Sequence, residues 1–151
     1  MALIIREATP ADADDLTQLA RRAKASWGYP EAWLREWQPQ LSFSAAYIGS
    51  NPVYVVTSDD TLAGVIALED SAEPEIAHLW VSPEYQGLGV GRQLVQRAIE
   101  VAAERGWNSY RVESDPHALP FYERLGAVQI GEVAAPVCGV ERVLPVLRLT
   151  V

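Results

Sequence analysis

The sequence predicts a single α/β domain built on a mixed, mostly antiparallel central sheet of about seven strands. Three observations carry that expectation. Strand-like and helical runs alternate in the order β-α-α-β-β-β-α-β-α-β-β. The three consecutive strand runs of the first half are joined by short turn-rich connections, which suit antiparallel neighbours. The last of these strands, the helix after it and the next strand form a βαβ unit, whose two strands run parallel. No repeat or linker interrupts the 151 residues, an ordinary length for one domain with a sizeable core.

Each element has a local cause. "LIIREA", residues 3–8, opens on Leu3, Ile4 and Ile5 and reads as a strand, and Thr9-Pro10 after it is an N-cap and first-turn pair. Leu16, Leu19, Ala20 and Ala23 recur at helical spacing and predict a helix to about Ser26, where "WGYP" breaks it. A shorter helix runs from Glu31 to Gln38 and stops before Pro39, and "LSFSAAYIGS" reads as a further short helical or irregular piece. Strands follow at 53–58, 61–70 and 75–82, with Asp59-Asp60 as a hairpin turn. Leu94, Val95, Ala98, Ile99 and Ala102 make one apolar face of the next helix, and Gly106 suits its C-terminus. "SYRVES" is a fifth strand. Asp115-Pro116 then opens a helix that Gly126 closes, and strands near 128–133 and 143–151 finish the chain.

Composition narrows the function. Twelve basic against 20 acidic residues leave a net charge of −8, which argues against a nucleic-acid scaffold. One cysteine, Cys138, and two histidines, His78 and His117, make a disulfide framework or a metal centre improbable. No apolar run approaches the roughly 20 residues of a membrane span, and "MALIIREATPADADD" lacks the apolar core of a signal peptide. The expectation is a cytoplasmic protein with no metal, nucleic-acid or membrane partner.

The segment "YQGLGVGRQLV" carries the chemistry. Glycines 87, 89 and 91 lead straight into an amphipathic helix. Such a loop exposes backbone N–H groups where the helix dipole favours negative charge. It is not a dinucleotide fingerprint, because Arg92 stands where the last glycine is needed, nor a P-loop, which ends in Gly-Lys-Ser/Thr.

What remains, Gln86-x-x-Gly89-x-Gly91 within "LWVSPEYQGLGVGRQLV", resembles the acyl-CoA-binding motif of the GNAT N-acetyltransferase superfamily. "DPHALPFYERLGA" resembles that family's second signature, Asn-x-x-Ala-x-x-x-Tyr-x-x-x-Gly-Phe, in the same order along the chain. The element order is similar too, so the resemblance covers nearly the whole sequence. It implies a GNAT-like sheet with helices on both faces and acetyl-CoA as co-substrate. The pyrophosphate would be cradled by Gln86, Gly87, Leu88, Gly89, Val90, Gly91 and Arg92. The backbone of Leu79, Trp80 and Val81 would pair with the pantetheine arm, with Asp115, Ala118 and Tyr122 on the other side. Asp115 stands where the family usually has Asn, and Ala127 where it usually has Phe.

Acetyl transfer to an amine needs a base for nitrogen, a donor for the carbonyl oxygen and an acid for the leaving thiolate. The resemblance makes Tyr122 the acid. It makes Glu75, eleven positions before Gln86, the base, acting directly or through a water. Alternation along the strand places Glu75 with Ala77, Leu79 and Val81, and His78 on the opposite face with Ile76 and Trp80. His117 is expected at the surface. In the family the acceptor meets the N-terminal helices and the C-terminal hairpin. There Trp27, Tyr29 and Trp33, beside Glu31 and Glu36, form a candidate wall for a cationic amine, and Arg142 a partner for a carboxylate. The expected function is acetylation of a small-molecule primary amine. A non-catalytic acyl-CoA sensor and a protein-lysine or longer-chain acyltransferase are the alternatives. The resemblance also makes a homodimer plausible.

Overall fold

A computed structural model describes residues 2–151. Seven strands form one sheet: β1 (Leu3–Glu7), β2 (Val53–Ser58), β3 (Thr61–Glu69), β4 (Glu75–Val81), β5 (Ser109–Glu113), β6 (Val128–Ala134) and β7 (Val143–Thr150). Their spatial order is β1-β2-β3-β4-β5-β7-β6. Every neighbouring pair is antiparallel except β4 and β5. The β2–β3 hairpin turns through Asp59 and Asp60, both at positive φ (49° and 66°), a twist that matches the flanking strands.

Five helices cover the sheet: α1 (Ala13–Ala25), α2 (Glu31–Glu36), α3 (Ala45–Ser50), α4 (Val90–Arg105) and α5 (Leu119–Arg124). The expected starts at Pro10 and Pro116 are single 3-10 turns, and the α-helices begin three residues later. Leu16, Leu19 and Ala20 of α1 pack with Trp37, Phe43 and Ile48 on Val55, Val65 and Ala67. Leu94, Ala98 and Val101 of α4 join Tyr122 of α5 on Ile66, Leu68 and Ile76 of the opposite face. The alternation of β2 and β3 therefore feeds two cores, one on each side, which is why both strands are almost wholly buried.

Two irregularities position the site. First, β4 and β5 pair at only one point, Glu75 opposite Arg111, supported by the Arg111 N–H on the Pro74 carbonyl (2.8 Å). Beyond it the two parallel strands part, and the β5-facing edge of β4 is left without a strand partner. Second, Ala67 lies opposite His78 while Leu68 lies opposite Ile76, so Ala77 is an extra residue bulging out of β4.

Candidate active site

The bulge overturns simple alternation on β4. Cross-strand partners share a face, so Glu75 (opposite Glu69), His78 (opposite Ala67) and Trp80 (opposite Val65) all point toward α1. Ile76, Leu79 and Val81 point toward α4 and α5. His78 thus stands on the side of Glu75, contrary to the expectation from a period of two. One inserted residue shifts the parity of everything beyond it.

At the mouth of the gap lies the glycine loop. Gly87 and Gly89 hold φ of 78° and 82°, the left-handed region that side chains resist. The first helical bond of α4 runs from the Gln93 N–H to the Gly89 carbonyl (3.0 Å). The N–H groups of Val90, Gly91 and Arg92 therefore have no backbone acceptor and point out of the helix start. Gly91 serves differently. A Cβ there would lie 3.1 Å from the Phe121 ring, so the absent side chain lets α5 close onto the start of α4. A groove of about 460 Å³ continues from Gly89 down α4 past Arg92, Gln93 and Arg97. Cradle, free donors and gap together fit a diphosphate with a long neutral arm, as coenzyme A has.

Phe121 brings Tyr122 with it. Tyr122 is 4% exposed, and burial alone pushes its phenol well above the ordinary range. It stays protonated at neutral pH, able to donate. Ala118, one turn earlier, is partly buried against the same core.

Across the sheet, Glu75 is partly buried and its carboxyl is raised, chiefly by that burial, against the lowering effect of Arg111 at 3.4 Å. Arg111 is shared with Glu113. The neighbouring Glu69 accepts a hydrogen bond from the Tyr47 hydroxyl (2.7 Å). His78 is partly buried against the Phe43 and Tyr47 rings, and its Nδ1 accepts from Trp80 Nε1 (3.1 Å). Burial lowers its pKa, so it remains neutral. Trp80 presents its side chain to this face, leaving only its backbone to the gap.

The aromatic wall is real, but its occupant is the protein's own Lys24. Its Nζ lies 4.2 Å from the Trp37 ring centroid, 5.1 Å from Tyr29, 5.7 Å from Trp27 and 5.8 Å from Trp80. The same Nζ is 2.7 Å from Asp115. Trp33 stacks on Tyr29 at 5.9 Å as an outer layer. Asp115 is the hub. Its oxygens accept from Lys24, from the Tyr29 hydroxyl (2.8 and 3.0 Å), from Arg142 Nη2 (3.2 Å) and from the His117 backbone N–H (2.8 Å). His117 Nδ1 sits 2.9 Å away, its ring stacked on Trp27 and 45% of its side chain exposed. Although burial opposes it, these donors, Lys24 foremost, hold the Asp115 carboxyl at about 2. The carboxylate of Asp115, a residue that the resemblance assigns to the cofactor, is thus engaged within the protein. The place that the rings offer a cation is occupied by Lys24.

Among the described residues, no cluster of three or more His, Cys, Asp or Glu side chains gathers as a metal site. Among the same residues, no helix is long and apolar enough to cross a membrane.

Comparison with known proteins agrees with this geometry. A model of the acetyltransferase (GNAT) domain matches residues 20–135. An uncharacterised N-acetyltransferase of Methanocaldococcus jannaschii is 28% identical over 138 residues, covering 81% of this chain and 59% of that protein. The chain thus spans little more than half of that relative. Among solved structures, a GCN5-related N-acetyltransferase from Rhodopseudomonas palustris superposes with a TM-score of 0.83 at 19% identity, covering 100% of this chain and 97% of the other. The PaiA N-acetyltransferase of Thermoplasma acidophilum, in complex with coenzyme A, gives 0.76 at 19% identity with full coverage of both chains.

Proposed function

Because the chain belongs to the GNAT acetyltransferase family, we propose that it moves the acetyl group of acetyl-CoA directly onto a primary amine of a small molecule, in a ternary complex. The observation that carries this reading is the gap between β4 and β5. It opens beside the glycine loop on the α4 face and closes at Glu75, whose side chain lies on the α1 face. Donor and acceptor approach from opposite sides of the sheet and meet in the gap.

The co-substrate supplies an acetyl group already activated as a thioester. The N–H groups from Gln86 to Arg92 hold its diphosphate at the start of α4, and the unpaired edge of Leu79–Val81 holds its arm. A backbone N–H on that edge donates to the acetyl oxygen as negative charge develops there. Glu75, its affinity for protons raised by burial, takes the proton that the attacking nitrogen sheds, directly or through a water. The C–N bond forms, the C–S bond breaks, and the Tyr122 hydroxyl gives its proton to the departing sulfur. Trp27, Tyr29, Trp33 and Arg142 form the outer wall of the acceptor side, organised around Lys24 and Asp115.

Calorimetric titration with acetyl-CoA and desulfo-CoA tests the first half, with Gly89→Glu as the control. Binding to the wild type that the variant loses is the expected result, and no binding to either ligand sinks the assignment. Turnover tests the second half: Tyr122→Phe should lower kcat on the order of 100-fold or more while leaving the acetyl-CoA Kd within about threefold. Binding without turnover of any amine would instead favour the non-catalytic sensor.

A further inference from the structure

We propose that the acceptor carries, besides its amine, an anionic group that docks on Lys24 and Arg142. The inference rests on the acetyltransferase reading above and names the substrate class that the site selects. Its ground is a charge imbalance on the acceptor face. Lys24 and Arg142 are two cations whose side chains are about 10% exposed, and Asp115 is the one carboxylate between them. That carboxylate accepts from Lys24, Tyr29, Arg142 and His117 and has no capacity left. The group is left with one formal positive charge in a setting walled by four aromatic rings.

Ring faces attract an ammonium but do not neutralise its charge. Donors are also left over. Arg142 spends Nη2 on Tyr29 and Asp115, while its Nε and Nη1 have no protein partner among the described residues. A planar guanidinium edge of this kind suits two oxygens of one anion. The opposite end of the same face has the opposite sign. Glu75 and Glu69 sit side by side across β3 and β4, with the neutral His78 and Trp80 between them and the cations. A molecule with an amine at one end and an anionic group at the other matches this polarity along β4. A plain alkylamine leaves the cationic end unmatched.

The test compares matched acceptors in a coenzyme A release assay: 4-aminobutyrate, 4-aminobutanamide and butylamine, then lysine and cadaverine, then glucosamine 6-phosphate and glucosamine. The anionic member of a set should lead in kcat/KM by roughly 10- to 100-fold. Whether the leading set is carboxylate or phosphate identifies the anion. Arg142→Gln, in which Lys24 still balances Asp115, should reduce that lead to about threefold or less through KM rather than kcat. Binding of 4-acetamidobutyrate against 4-acetamidobutanamide, read by calorimetry, needs no turnover. Wild type should favour the carboxylate by the same factor, and the variant should not. Equal rates and equal binding for charged and neutral partners would overturn the inference. Failure of every amine to release coenzyme A would sink the acetyltransferase reading, while the calorimetric comparison would still decide this one.

Discussion

At Glu75 two influences oppose one another. Burial raises the carboxyl's affinity for protons, and the Arg111 guanidinium 3.4 Å away lowers it, while Glu113 and Glu69 push it up again. A base must be deprotonated to work, so kcat/KM should fall as pH drops through the Glu75 pKa. Removing Arg111 takes away the guanidinium that favours the carboxylate and unshields Glu113. Arg111→Met should therefore move the acid limb of the pH–rate profile to higher pH. An acid limb that stays in place would show that Glu75 is not the base. Beforehand, only the family resemblance singles out Glu75, eleven positions before Gln86, and Tyr122, four before Gly126. Lys24 is not singled out, although a signal for it existed. It continues the buried stripe Leu16, Ala20 and Ala23 at helical spacing, and a charge on an apolar stripe calls for a partner. That partner, Asp115, lies 91 positions away, a separation no local pattern spans.

The elements are tied together by the Asp115 hub. It joins α1 through Lys24, the α1–α2 connection through Tyr29, the start of α5 through His117 and the β6–β7 connection through Arg142. Asp115→Asn keeps a cap for the turn at Pro116 but leaves two enclosed cations without a counter-ion. It should cost about 3–5 kcal/mol, measured by urea unfolding at neutral pH. The sign of the pH dependence follows from the depressed carboxyl. Held at about 2, against an ordinary 3.8, it contributes stability in full above the ordinary value and loses it as pH falls toward 2. The variant's deficit should therefore shrink across that window, and a deficit constant from pH 7 to 2 would contradict the hub. The glycines divide at this scale as well. Gly87 and Gly89 answer to backbone conformation, while Gly91 answers to Phe121 of another helix. Three alternate glycines read alike in sequence, and only packing separates their causes.

Over the whole molecule, the sheet is two blocks, β1–β4 and β5–β7–β6, joined by antiparallel pairing inside each block and by little across the β4–β5 seam. A ligand lodged in the seam bridges the blocks. Acetyl-CoA at 100 times its Kd should add about 2.7 kcal/mol of stability, seen as a Tm raised by roughly 5–10 °C. Amide exchange should slow at Leu79–Val81 and stay unchanged in β1. A Tm rise without protection on β4 would place the ligand elsewhere. The two covered faces differ in character. The α4 face offers backbone donors, and the α1 face offers rings and charges.

Element types, their order, the hairpin at Asp59-Asp60 and the glycine-rich approach to α4 were all determined by local sequence. Each depends on residues within a few positions of one another, on hydrophobic period, capping and glycine's access to positive φ. What the tertiary structure decided depends on partners far apart in the chain. The bulge at Ala77 exists only in register with β3 and carries His78 to the side of Glu75. The seam exists only because β4 and β5, 27 residues apart between Val81 and Ser109, diverge after one pairing. The aromatic wall was visible as a set of rings, but its own lysine took the place foreseen for a substrate cation. Burial next to Asp115 favours that occupant, and burial is a property of the folded chain alone.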